Sequence, residues 1–224
     1  MIIAINGRVG SGKDTTGAII RGTSKQTWDI KKFAGKLKQI AGLMLGVPPE
    51  KFEDQEYKKT FLPKEWNTTI FNNSSGLVDV SHSDFMEQQM TVREFLQKLG
   101  TAAVRNHVHD QAWVNALFAD YRKRVVVEGE DKVASDGGYY TSPSYSEYPN
   151  WLITDCRFPN EADTVKKKGG LVIRVTRPQG NLTDLHPSET SLDGYSFDYV
   201  INNDGPLDTL LPKVKIFLNE FNID

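Results

Sequence analysis

The chain opens Met1-Ile-Ile-Ala-Ile-Asn-Gly7-Arg-Val-Gly10-Ser-Gly12-Lys13-Asp14-Thr15. Residues 2–5 are apolar without alternation, as in a strand buried on both faces. The run passes at Gly7 into a glycine-rich loop and then into a helix-compatible stretch over residues 12–21. Gly7, Gly12 and Lys13 hold the spacing G-x-x-x-x-G-K, which between a strand and a helix is a phosphate-binding loop. Glycine lets the backbone turn tightly and come close to a polyphosphate. The amides of the turn and of the helix N-terminus then point at the anion. Lys13 adds a mobile cation that can follow a terminal phosphoryl group. The expectation is a nucleoside triphosphate held by Gly10, Ser11, Gly12, Lys13, Asp14 and Thr15.

Position 14 departs from the common pattern, where Ser or Thr ligates magnesium directly. The spelling Gly-x-x-Gly-x-Gly-Lys-x-Thr is similar to loops of nucleoside monophosphate kinases. In those the ion lies mostly among waters and phosphates, as its reluctance to dehydrate permits. Asp14 is then a carboxylate that holds one of the waters.

Two further stretches carry chemistry. Trp151-Leu-Ile-Thr-Asp155-Cys-Arg157-Phe-Pro-Asn160-Glu161 is an apolar strand that ends on an acid. This is the Walker-B arrangement, whose carboxylate positions magnesium, usually through water. The alternative is an aspartate that merely caps the next turn. Arg157 follows at a distance suited to neutralising a phosphoryl group. Glu161 is either an outer carboxylate of that site or an acid in the first turn of a helix. The second stretch is Thr91-Val-Arg93-Glu-Phe-Leu-Gln97-Lys-Leu-Gly100-Thr101-Ala-Ala-Val-Arg105. It opens on a capping box, Thr91 with Glu94. Arg93 and Gln97 share one face. On a straight helix Arg105 lies about 18 Å beyond Arg93, too far for both to grip one phosphate. Gly100 costs roughly 1 kcal/mol inside a helix, which makes sense if something packs against the backbone there.

Around these anchors, strand and helix patterns alternate. Strands are expected near residues 28–33, 125–127, 151–155, 171–175 and 197–201. Helices are expected over 33–45, from Thr91, from a cap at Asp110, over 160–168 and over 206–221. Alternation of this kind predicts an α/β sandwich on a mostly parallel sheet. Ligands bind at the carboxyl edge of such a sheet, where the first loop lies. Residues 50–90 and 128–150 show little periodicity.

Composition narrows the classes. The 224 residues are 38% hydrophobic and 25% charged, with a net charge of −2. That fits one large globular domain and lacks the basic excess of a general nucleic-acid binder. The single cysteine, Cys156, permits no internal disulfide and suits a reducing compartment. No signal peptide is expected at the N-terminus, and no run reaches the ~18 apolar residues of a membrane helix. The four histidines, His82, His107, His109 and His186, have no metal spacing.

Taken together, Gly10-Ser11-Gly12-Lys13-Asp14-Thr15, Phe33-Ala34-Gly-Lys-Leu37-Lys38, Arg93-Glu-Phe-Leu-Gln97 with Gly100-Thr101 and Arg105, and Asp155-Cys-Arg157-Phe158-Pro159-Asn160-Glu161 resemble the bacteriophage-type deoxynucleoside monophosphate kinase family. His186-Pro-Ser188-Glu189 and Val200-Ile-Asn202-Asn203-Asp204-Gly205 do so too, and all occur in family order. The resemblance implies a P-loop, nucleoside-monophosphate-kinase-like three-layer α/β sandwich spanning residues 1–224. It carries a helical acceptor-binding insertion at about 47–110 and a short lid at about 177–192. The implied reaction is ATP-dependent phosphorylation of deoxynucleoside monophosphates, with Mg2+ near Asp14 and Asp155. Lys13, Arg105, Asp155 and Arg157 are then catalytic. Arg93, Gln97 and Arg105 bind the acceptor, and Arg177 and Asp204 join the loop in holding ATP. The expected partners are small nucleotides, with no nucleic acid and no membrane; a homodimer is allowed. The expected location is cytoplasmic, in the host if the gene is a phage's. Two rivals stay open. One is a P-loop kinase acting on phosphomevalonate or dephospho-coenzyme A. The other is a non-catalytic nucleotide-binding regulatory protein.

Overall fold

The computed structural model describes residues 1–71, 85–127, 132–133, 139–140, 144–178 and 187–223. In chain order the elements begin with β1 (Ile2–Asn6), α1 (Lys13–Thr23), β2 (Trp28–Lys31) and α2 (Ala34–Leu45). Next come α3 (Gln55–Lys59), β3 (Thr68–Phe71), β4 (Phe85–Gln88), α4 (Val92–Gln97) and a π-helix over Lys98–Val108. They continue with α5 (Ala112–Phe118), β5 (Arg124–Val127), β6 (Lys132–Val133), β7 (Tyr139–Tyr140), β8 (Ser144–Glu147) and β9 (Asn150–Ile153). Last are α6 (Pro159–Lys167), β10 (Leu171–Thr176), α7 (Pro187–Thr190), β11 (Tyr199–Asn202) and α8 (Leu207–Glu220). The chain divides into two compact units. One comprises Met1–Phe33 with Val114–Asp224, the other Ala34–Trp113.

The first unit is built on a five-stranded sheet of order β11-β10-β1-β9-β2. Every pairing in it is parallel. Parallel strands are covered on both faces, so they must be apolar throughout. The unbroken Ile2-Ile-Ala-Ile5 run meets that demand, and all four residues are buried. Alternation then sorts them between two cores. Ile3 and Ile5 join Ile20 of α1 and Leu210, Val214 and Phe217 of α8. Ile2 and Ala4 join Val114 and Leu117 of α5 and Ala162 and Val165 of α6. The result is helix, sheet and helix in three layers. Cys156 is fully buried in the second core, and burial raises its thiol pKa well above the ordinary value. The strand expected at 125–127 forms, but outside the sheet: β5 pairs antiparallel with β8.

The second unit has its own core of Ala41, Phe52, Leu62, Met90, Val92 and Phe95. Its expected helix from Thr91 starts as read. The Thr91 hydroxyl accepts the Glu94 amide at 3.2 Å, and the Glu94 carboxylate accepts the Thr91 amide at 2.7 Å. The α-helical spacing then ends after six residues and a π-helix follows. His109 closes it by donating its amide to the Val104 carbonyl, five residues back, at 3.0 Å. The straight-helix separation of Arg93 and Arg105 therefore does not apply, because wider turns change both rise and phase. Gly100 stands within this segment. Trp113 donates its indole N–H to the Gly100 carbonyl at 2.8 Å, and a Cβ at Gly100 would meet Leu37 Cδ2 at 2.7 Å. Both contacts press on the backbone where a glycine is present.

His82, His186 and residues 179–186 of the expected lid lie outside the described residues. Among the described residues, no helix is long and apolar enough to cross a membrane.

Candidate functional site

The sheet order decides where a ligand can enter. From β1 the chain runs to the edge strand β2, while from β10 it runs to the opposite edge, β11. Loops leaving β1 and β10 diverge at their carboxyl ends, and such a switch point opens a crevice. A pocket of about 360 Å³ occupies it. Its floor is the loop, with Gly10, Gly12, Lys13, Asp14 and Thr15. Its walls are Arg177 after β10, Asn203 and Gly205 after β11, and the apolar Leu207 and Leu210 of α8.

Local chemistry shapes the loop. Gly12 adopts φ 97° and ψ 15°, a left-handed conformation that side chains resist. It is also the N-cap of α1, with no side-chain cap. The amides of the first turn are therefore left for an anion. Asn203, buried after β11, donates from Nδ2 to the Ser11 carbonyl at 2.9 Å and ties the loop to the sheet. Asn203 is itself anchored, its amide reaching the Thr176 carbonyl at 2.7 Å. Asn6 donates from Nδ2 to the Cys156 carbonyl at 2.8 Å and so joins the end of β1 to the segment after β9.

Lys13 is only 8% exposed. Its ammonium lies 3.4 Å from the Arg8 carbonyl. Burial lowers its pKa, and the Arg157 charge lowers it further. Asp14, Glu189 and Asp155 act in the opposite direction. A cation held against this cost is ready for an anionic ligand that removes it.

The acidic and basic residues after β9 have divided roles. Asp155 is buried, and its Oδ1 accepts the Phe33 amide at 2.7 Å. Asp14 is mostly exposed; Thr154 donates its hydroxyl to Asp14 Oδ1 at 2.8 Å, and Lys32 lies 3.5 Å away. Arg157 reaches Glu189 Oε1 from Nη1 at 2.5 Å. Glu161 is 2% exposed and caps α6, its Oε2 accepting the amides of Arg157 at 2.7 Å and Phe158 at 3.1 Å. It is an acid of a helix's first turn, as one of the two sequence readings has it, but a buried and structural one.

Other expected site residues are distributed as follows. Arg177 is exposed and lines the pocket. Asp204 does not line it; its carboxylate pairs with Lys213 at 2.5 Å, and its neighbours Asn203 and Gly205 take the wall. Arg93, Gln97 and Arg105 belong to the second unit. Arg93 donates from Nη2 to Gln55 Oε1 at 3.1 Å, and Arg105 Nη1 is 3.5 Å from the Asp110 carbonyl. Sequence reasoning placed Asn203 and Glu189 in stretches that carry the resemblance but did not reach their contacts, and it did not single out Asp193. Asp193 bridges Arg8 at 3.0 Å and Arg174 at 2.5 Å, and the hydrogen bond from Arg174 leads in lowering its pKa. Each lies far along the chain from its partner, so no local pattern signals it.

A parallel five-stranded sheet with a phosphate loop on its central strand defines the class: an α/β protein of the P-loop kind. The match to known proteins is narrower. The model of the deoxynucleotide monophosphate kinase family matches residues 49–214, and the chain belongs to that family. A deoxynucleotide monophosphate kinase of enterobacteria phage T4 is 33% identical over 66% of this chain and 52% of its own length. That of Escherichia phage RB69 is 31% identical over 57% of this chain and 45% of its own. The chain thus spans about half the length of these two relatives. A deoxynucleoside-5'-monophosphate kinase of Escherichia phage T5 is 22% identical over 86% of this chain and 85% of its own.

Proposed function

We propose that the chain transfers the γ-phosphoryl group of ATP to a deoxynucleoside monophosphate, releasing ADP and the deoxynucleoside diphosphate in the cytoplasm. The observation that carries this reading is Lys13, a buried cation on a glycine loop at the pocket floor, in a chain of this family. The acceptor is a phosphate oxygen. A phosphate monoester has its second pKa near 6 and is largely dianionic at neutral pH, so no side chain need remove a proton. The acceptor oxygen bonds to the γ-phosphorus while the bond to the β–γ bridging oxygen breaks, and ADP departs with that electron pair. What the protein supplies is alignment and positive charge.

Lys13 and the amides at the start of α1 receive the triphosphate, and Leu207 and Leu210 offer an apolar wall to the base. Arg177 stands over the phosphates, and Asp204, off the pocket wall and paired with Lys213, acts on the donor only through its lining neighbours Asn203 and Gly205. Arg157 neutralises the group in transfer. In the second unit, Arg93, Gln97 and Arg105 recognise the acceptor. Among the described residues no cluster of three metal-ligating side chains occurs. Asp14 and Asp155 fit a magnesium ion that keeps most of its waters, and they would hold it through them. When bound, the ion spreads the charge of the phosphates.

The test is a panel of deoxynucleoside and ribonucleoside monophosphates, with phosphomevalonate and dephospho-coenzyme A, each given ATP and magnesium and read for diphosphate product. Deoxynucleoside monophosphates should be turned over, and Lys13→Ala should lose about a hundredfold or more while remaining folded. Arg105→Ala should act mainly on the acceptor's KM or on transfer. Product from another acceptor alone, ATP use that no acceptor stimulates, or full turnover by Lys13→Ala would overturn the reading.

A further inference from the structure

One carboxylate touches both the phosphate loop and Arg157. Glu189 lies on α7, and its side chain is 13% exposed. Its Oε2 accepts the Val9 amide at 3.0 Å, at the tip of the loop. Its Oε1 accepts from Arg157 Nη1 at 2.5 Å, and Ser188 Oγ lies 3.4 Å from the same nitrogen. The neighbouring loop residue Arg8 is gripped from the same segment, by Asp193 at 3.0 Å. Two consecutive residues of the loop tip are thus held by two acids four positions apart.

We infer that Glu189 is a positioning residue for phosphoryl transfer, one that fixes Arg157 and the loop tip as a single unit. The inference rests on the kinase reading proposed above. Its physical basis is charge and entropy. Arg157 and Lys13 are like charges close enough to depress the lysine. Left alone, the arginine gains by swinging outward, and the rotamer entropy of its long side chain favours release. A carboxylate paired with the arginine and acting on the lysine as well offsets the repulsion and holds one rotamer. Among the described residues, the side-chain hydrogen bonds of this guanidinium go through Nη1, and Nη2 and Nε are further donors that a phosphoryl oxygen can use. The second oxygen of the same carboxylate sets Val9, and through the loop the amides that follow. Glu189 never touches the reacting atoms; it acts through the groups it holds.

The test is a double-mutant cycle in the full chain. Glu189→Ala, Glu189→Gln, Arg157→Ala and the Glu189→Ala/Arg157→Ala pair are compared with the wild type for kcat and for both KM values. Urea unfolding midpoints verify that each variant is folded. Glu189→Ala should lower kcat about tenfold, with the ATP KM within threefold. Glu189→Gln, which keeps one acceptor oxygen and turns the other into a donor, can hold Arg157 or Val9 but not both; it should recover part of the loss, and it carries the test if the alanine variant fails to fold. In the Arg157→Ala background, Glu189→Ala should cost clearly less than in the wild type, only the part that Glu189 carries through Val9. Equal losses in both backgrounds, or a kcat unchanged by Glu189→Ala, would overturn the inference. So would a lower ATP KM at constant kcat, which would make Glu189 a competing anion instead. A wild type inactive on every deoxynucleoside monophosphate would sink the parent reading and this one with it. An active wild type with independent losses would sink only this one.

Discussion

The tie between Gly12 and Asn203 predicts a specific non-additivity. An alanine at Gly12 meets two costs. The left-handed backbone, φ 97° and ψ 15°, penalises any Cβ by about 1–2 kcal/mol. The new Cβ would also lie 2.5 Å from Asn203 Nδ2, so the amide must move and give up its 2.9 Å bond to the Ser11 carbonyl. Stranding that buried acceptor costs about 1–3 kcal/mol. Gly12→Ala should therefore lose about 2–5 kcal/mol, and Asn203→Ala about 1–3 kcal/mol by the second route alone. In the double variant the hydrogen bond is lost only once and the collision disappears. The pair should fall short of the sum by about 1–3 kcal/mol. Urea unfolding of the four proteins measures this directly, with the m-value checked for constancy. Single costs that add within about 0.5 kcal/mol would refute the claim that this hydrogen bond carries the loop's geometry. Turnover should follow the same pattern, since a displaced loop misaligns the donor.

Three other outcomes follow from the same geometry. Lys13→Met should raise the unfolding midpoint of the ligand-free protein while turnover collapses, because burial disfavours the ammonium. A group whose folded pKa is lowered binds fewer protons folded than unfolded, so this penalty should shrink as pH rises through the lowered pKa toward 10.5. Glu161→Ala should cost about 2–4 kcal/mol, since two amides at the start of α6 lose a charged acceptor, and Glu161→Gln should cost less than half of that; a loss below about 0.5 kcal/mol would exclude the capping role. Asp193→Asn should destabilise at neutral pH, and the difference should vanish as pH falls through the lowered pKa of this aspartate, because a depressed carboxylate stabilises only while ionised; a pH-independent difference would contradict the bridge to Arg8 and Arg174.

Features that depend on neighbours along the chain are legible in the sequence itself. The unbroken apolar run 2–5, the glycines at 7 and 12 and the lysine at 13 specify strand, loop and helix, because each acts on backbone a few residues away. The Thr91 capping box reads equally well, since its two partners are one helical turn apart. The π-helix after Gln97 is not legible there, because contacts from Leu37 and Trp113 press on Gly100 and neither lies on that helix. What surrounds the loop is likewise decided by tertiary structure alone. Asn203 reaches Ser11 across 192 positions and Glu189 reaches Val9 across 180. Hydrogen bonds between groups so distant exist only once β10 has been laid beside β1 and β11 beside β10. Their energy depends on burial and direction, and a linear sequence specifies neither.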